Sequence, residues 1–198
     1  MNPKAERISR HGNRTVQRRV VEILVVEGTS EKIYFERLGK IADIPIHPID
    51  CKGGDIPKIR RVCENELSKM RKGDTFGIVM DVDNTPLADI REFDGWCRKK
   101  NIRLYISNPS FEVFLLMHYT DARSSLDQDG LEESLSHQIG TGYDKAKGIR
   151  LTETMVSDAI HRGKRTIADP STGLETCLSK PGTTMVHLLV ERLMGGSG

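Results

Sequence analysis

From residue 19 onward, short β-branched runs alternate with amphipathic stretches, the pattern of βα units laid on a parallel sheet. Val20-Val21-Glu22-Ile23-Leu24-Val25-Val26 reads as the first strand and ends at Glu27-Gly28. Thr29 or Ser30 is placed to cap a helix whose apolar positions Ile33, Tyr34, Leu38 and Ile41 keep helical spacing. Ile46 to Cys51 predicts a second strand. Gly53-Gly54-Asp55 then opens a helix with Ile56, Ile59, Cys63, Leu67 and Met70 on one face, Asp55 as its N-cap and Gly73 as its stop. Thr75 to Met80 is almost continuously apolar, as a strand covered on both faces should be, and it runs into Asp81-Val82-Asp83. Ile90, Phe93 and Trp96 mark the next helix. Ile102 to Ile106 is a fourth strand, broken at Ser107-Asn108-Pro109, after which Ser110 is positioned to cap the apolar helix Phe111 to His118.

Beyond Tyr119 the regularity fades. Asp121 to Gly130 is polar, Gly140 to Gly148 is glycine-rich and basic, and helices are expected near 153–163 and 183–194. The pattern as a whole predicts an α/β fold: a parallel sheet flanked by helices, with an α-rich C-terminal extension. It divides into a basic, flexible arm over 1–18, an α/β core over 19–120, an extension completing the domain over 121–194 and a flexible tail over 195–198.

Composition narrows the class without naming a function. In 198 residues, 30 Lys and Arg face 28 Asp and Glu, a net charge of +2, so no whole-molecule field dictates a partner. Charge is local instead: Lys4, Arg7, Arg10, Arg14, Arg18 and Arg19 make the head of the chain basic, suited to phosphates or simply to a solvated terminus. No apolar run approaches the ~18 residues of a membrane span, and Met1-Asn2-Pro3-Lys4-Ala5-Glu6 lacks a signal-peptide core. A cytoplasmic protein that avoids membranes is the expectation. Cys51, Cys63, Cys97 and Cys177 show no metal-finger spacing and are expected as reduced, mostly buried thiols.

Chemistry enters with the acids. In open parallel sheets ligands bind in the crevice at the carboxyl ends of the strands. Glu27 closes the first strand, Asp81 and Asp83 close the third, and Glu31 and Glu112 fall in the first turns of the helices after the first and fourth. Asp81 and Asp83, at i and i+2 on an extended chain, project to the same side and are placed to chelate one cation. Hard oxygen ligands suit Mg²⁺ or Mn²⁺. The plainer reading of Glu31 and Glu112 is a favourable contact with a helix dipole.

Val25-Val26-Glu27-Gly28-x-x-Glu31 with Tyr34-Phe35, then Met80-Asp81-Val82-Asp83-Asn84, resembles the Toprim domain of topoisomerases, primases and OLD-family nucleases. The block from Ser107-Asn108-Pro109-Ser110-Phe111-Glu112 to His118, with Tyr143-x-Lys145 and Pro181-x-Thr183-Thr184 further on, narrows the resemblance to the RloB-like family over roughly residues 20 to 193. The resemblance implies a Toprim fold and metal-dependent cleavage of phosphodiester bonds in DNA or RNA, tRNA included, as the effector of a prokaryotic anti-phage defence system. It implies that Glu27 holds a metal or acts as general base, that Asp81 and Asp83 hold the metal pair, and that Glu31 and Glu112 complete its shell. Lys145 would neutralise charge at the scissile phosphate, and Tyr143 would be structural or contact the substrate. A partner ATPase subunit is implied as well. Self-association stays open.

Two rival readings use the same residues. Asp81-Val82-Asp83-Asn84-Thr85 matches the DxDxT pattern of haloacid dehalogenase-like phosphatases, although their later acidic pair is missing after Lys145. A non-catalytic Toprim scaffold regulated by a partner is the other. Of the scattered histidines only His118, at the end of the apolar helix, invites a role: orienting a carboxylate, contacting phosphate, or making a core hydrogen bond.

Overall fold

Among the described residues, β1 (Glu22–Val26), β2 (Ile46–Asp50), β3 (Thr75–Asp81), β4 (Arg103–Asn108) and β5 (Thr183–Thr184) form one sheet in the order β2-β1-β3-β4-β5. The computed structural model describes residues 19–83, 85–122 and 126–195, so the basic arm, Asn84 and the last residues of the tail lie outside it. β1, β2, β3 and β4 pair in parallel, while the short β5 runs antiparallel along β4. The sheet is therefore mixed at one edge, with an otherwise parallel body.

Chain order explains how the helices are distributed. β2 is laid on one side of β1, and β3 and β4 on the other, so right-handed crossovers send α1 (Thr29–Ile41) to one face and α2 (Ile56–Leu67) and α3 (Leu87–Lys99) to the opposite one. Two cores result. Tyr34, Phe35 and Leu38 of α1 pack with α4 (Glu112–Leu116) and with Leu131 and Leu135 of α5 (Gln128–Ile139). Val156 and Ala159 of α6 (Glu153–Thr166) and Leu189 and Val190 of α8 (Val186–Gly195) join the same face. Ile59, Cys63, Ile90, Phe93 and Cys97 form the other core, closed by Cys177 and Leu178 of α7 (Gly173–Ser179). All four cysteines are buried free thiols, and burial pushes the Cys51 thiol up to about 11.

Several boundaries differ from the sequence reading, each for a local reason. β1 begins at Glu22, because pairing with both neighbours starts there; Val20 is exposed. Neither Thr29 nor Ser30 caps α1; Gly28 is its N-cap, and the two hydroxyls are engaged elsewhere. Asp55 does cap α2, accepting from the Lys58 N–H at 3.1 Å, but the helix ends at Leu67, well before Gly73. Ser110 does not cap α4: Phe111 holds that position, and the Ser110 hydroxyl is buried with no partner among the described residues. β4 continues through Ser107 and Asn108 because β5 pairs with them. That strand comes from 75 residues further on, beyond the range of any local pattern. Among the described residues no helix is long and apolar enough to cross a membrane.

Candidate active site

β1 and β3 lie side by side at the centre of the sheet, and the order of building reverses between them. Chain segments leaving their carboxyl ends must part there to opposite faces, which opens a crevice. It encloses about 290 Å³ and is lined by Glu27, Ser30, Glu31, Asp81, Glu112 and Lys145 among others. Four of the five acids named from sequence thus meet in one cavity, together with the lysine.

The strand ends fix the first two. Asp81 is the last residue of β3, and its backbone N–H donates to Glu27 Oε2 at 3.1 Å across the gap between strands. Just past it, the Val82 N–H donates to Ser107 O at 2.9 Å and the Asp83 N–H to Pro109 O at 3.1 Å, lacing the ends of β3 and β4. Asp81 Oδ1 is buried and has no hydrogen-bond partner among the described residues. Burial holds the Asp81 carboxyl well above the usual range, helped by the charges of Glu31, Glu27, Glu112 and Asp83. Glu27 is raised as well, first by burial and then by Asp83, against the Asp81 N–H that favours its charged form.

Glu31 and Glu112 are only 4 % and 3 % exposed, too deep for a mere surface contact with a helix dipole. Burial pushes Glu31 up to about 7, with Glu112, Glu27 and Asp50 adding like charge. Glu112 is instead surrounded by donors. Lys145 Nζ stands 3.6 Å from its Oε1, the Tyr143 hydroxyl donates to Oε1 at 3.4 Å, and Gln128 Nε2 donates to Oε2 at 3.3 Å. Because Tyr143 spends its proton on Glu112, Ser30 Oγ is the donor in their 2.6 Å bond. Lys145 also pairs with Glu132 at 2.9 Å, and these ion pairs hold its ammonium above its ordinary value although burial works the other way.

Two expected residues stand elsewhere. Asp83 is exposed and does not line the crevice. The extended i, i+2 alignment expected of Asp81 and Asp83 is interrupted, because β3 ends at Asp81 and the chain turns, Thr85 N–H donating to Val82 O at 3.0 Å, although the Asp83 charge still acts on Asp81 and Glu27. His118 is 3 % exposed and sits among Tyr34 and Phe114, edge-on to both rings. Its Nδ1–H donates to Phe114 O at 3.0 Å and its Nε2 accepts from the Tyr34 hydroxyl at 3.2 Å, which makes it neutral and structural. Burial pushes it down to about 4.

Sequence reasoning passed over Asp50, Ser30, Gln128 and Glu132. Asp50 ends β2 as Glu27 follows β1, and it accepts from Thr29 Oγ1 at 3.2 Å; the strand-end rule reaches it once β2 is stopped one residue before Cys51. Ser30 carried only a capping signal. Gln128 and Glu132 are ordinary polar residues four apart on a helix, and nothing local marks them.

The fit of a divalent cation rests on donor chemistry: carboxylates that repel one another, and one buried oxygen left without a donor. Among the described residues no three His, Cys, Asp or Glu side chains already stand as a ligand cluster, so the carboxylates would have to turn inward to share one ion. The family model for RloB-like proteins matches residues 23–193. No curated protein and no solved structure matches the chain.

Proposed function

The chain belongs to the RloB-like protein family, and from that membership and the chemistry of the crevice we propose a metal-dependent nuclease that hydrolyses phosphodiester bonds in nucleic acid. The observation that carries the reading is the partnerless Asp81 Oδ1, buried at the β1/β3 switch point with three further carboxylates lining the same cavity. Such an arrangement costs stability unless a cation offsets the repulsion. Asp81 and Glu27 would hold Mg²⁺ or Mn²⁺ with help from Glu31 and Glu112. A bound divalent ion supplies Lewis-acid polarisation of a phosphoryl oxygen and a more acidic water.

The chain's own groups have separable tasks. Where Glu27 does not itself hold the ion, its carboxyl, raised by burial, would accept the proton of an attacking water. Lys145, exposed on one side and tethered to Glu112 and Glu132, brings positive charge to the crevice edge for a phosphate. Ser30 and Tyr143 fix the orientation of Glu112. The Toprim relationship, the cytoplasmic defence role and a regulating ATPase partner belong to the same proposal, on the strength of the sequence resemblance.

The phosphatase reading has less support. Lys145 pairs with Glu112 and Glu132, whereas that chemistry needs a lysine beside the first Asp of DxDxT. Asp81→Ala tests the proposal directly. Calorimetric titration with Mg²⁺ and Mn²⁺, coupled to a gel assay on labelled DNA and total tRNA, should show metal binding and cleavage by the wild type and neither in the folded variant. A folded Asp81→Ala protein that still cuts would remove the crevice as the active site. Failure of the wild type to bind either metal would leave a scaffold that acts through its partner.

A further inference from the structure

A second cavity, of about 540 Å³, lies between α1 and the segment that follows Lys145. Its walls are Arg37, Lys40, Ile41, Lys147, Arg150 and Leu151, with Gly148 between: four cations, and no acid. Arg37 builds the wall. Its guanidinium donates to the carbonyls of Ile149 and Lys147, bolting the segment to the helix through neutral acceptors that leave its charge uncancelled. Gly148 permits the close approach: its φ is +60°, and a Cβ there would stand 3.0 Å from Ile33 Cγ2 and 3.4 Å from the Arg37 guanidinium. Lys147 pairs with Asp144 at 3.3 Å from outside the groove lining. Among the described residues neither Lys40 nor Arg150 pairs with a carboxylate, and both are exposed.

The groove and the crevice are separate cavities built on the same two segments of chain. α1 carries Glu31 in its first turn and Lys40 in its last. At about 1.5 Å per residue the two are roughly 13 Å apart along the helix axis. The other wall begins with Lys145 at the crevice and continues to Lys147 and Arg150. Nine residues also put Lys40 on the opposite side of α1 from Glu31, so a stacked strand advancing about 3.4 Å per nucleotide needs at least about four nucleotides to join the two.

We propose that the groove between α1 and residues 147–151 binds the sugar–phosphate backbone of the nucleic-acid strand whose scissile bond lies in the acidic crevice, gripping it at least about four nucleotides from the cut. This rests on the nuclease reading for the location of the cut but not for the binding itself. Phosphates are the ligand that four cations without an acid fit, and Ile41 and Leu151 give the sugars an apolar surface to lie against. Cations engaged with phosphates fix position and carry no base readout, so the grip is indifferent to sequence.

The test separates binding from cleavage. Fluorescence anisotropy in EDTA, on a labelled single-stranded oligonucleotide of about 12 nucleotides, would compare the wild type, the Lys40→Glu/Arg150→Glu double variant, a milder Lys40→Gln/Arg150→Gln pair, and Asp81→Asn. Both pairs lie on exposed positions, and their melting curves should match the wild type. The expected result is a loss of affinity of at least tenfold in the Glu pair, less in the Gln pair, and none in Asp81→Asn. The slope of log K against log salt should flatten by about 1.4 for two lost phosphate contacts. Unchanged affinity and slope in the Glu pair, or no binding by the wild type, would overturn the groove while leaving cleavage to decide the active site. Lost binding in the Glu pair of a protein that never cuts would keep the groove and overturn the nuclease.

Discussion

Glu31 shows most plainly what a functional crevice costs a fold. Its carboxyl is raised from 4.5 to about 7 by burial and by neighbouring acids, so the native state holds this proton more tightly than the unfolded chain does. The stabilisation is complete below pH 4.5 and is lost as pH rises through 7. Without metal, Glu31→Gln should therefore make the protein more stable at pH 8, by on the order of 1–3 kcal/mol, read as a higher urea midpoint. A less stable variant would mean that the ionised carboxylate is satisfied in the apo crevice. His118 has the opposite sign. Its folded value of about 4 lies below its unfolded 6.5, so its contribution is present above 6.5 and lost as pH falls towards 4. In the wild type the two trends oppose each other on acidification. Removing Glu31 should leave the His118 decline exposed, so the variant should lose stability between pH 6.5 and 4 more steeply than the wild type.

At the scale of elements, the strands that border the crevice are held by packing that runs through the C-terminal helices. α6 crosses α8 at Gly163, where a Cβ would stand 2.4 Å from His187 Cγ and 2.5 Å from His187 Cβ. The same imidazole holds Thr184 O at 2.8 Å through Nδ1, and so supports β5 against β4 beside Asp81. Alanine is the better helix former by about 1 kcal/mol, yet Gly163→Ala should destabilise by about 1–3 kcal/mol because the clash is with packed side-chain carbons. Thermal melting would show it. Adding His187→Ala should recover part of the loss, and a simple sum of the two single effects would mean that the contact does not limit the approach of the helices.

Across the whole molecule, the first strand and the last helix are joined by an ion pair far from the crevice. Arg192 donates to Glu22 through both terminal nitrogens, at 2.7 and 3.0 Å, and the Thr75 hydroxyl donates to the same carboxylate. Glu22 is 4 % exposed, so Arg192→Ala would strand a buried charge. The expected cost is about 3–5 kcal/mol, with Glu22→Leu/Arg192→Leu recovering most of it. Chemical denaturation of the three variants decides the matter: an Arg192→Ala protein as stable as the wild type would show that α8 is held by its apolar face alone.

The sequence determined the βα alternation, the two-faced burial of β3, and the strand-end acids Glu27 and Asp81, because side-chain period and strand termini are local properties that a run of residues displays. It also sufficed for the family, through motifs that keep their spacing along the chain. It drew β4 too short and gave Asp83 a place in the crevice, since a partner strand 75 residues away and a turn starting at Val82 leave no mark on hydrophobic period. Only the tertiary structure decided that Glu112 is held by Lys145, Tyr143 and Gln128, that His118 is a core residue, and that Arg37, Lys40, Lys147 and Arg150 share one groove. Those relations join segments distant along the chain. Their energies come from burial and from charge at short range, which exist only once the chain has folded.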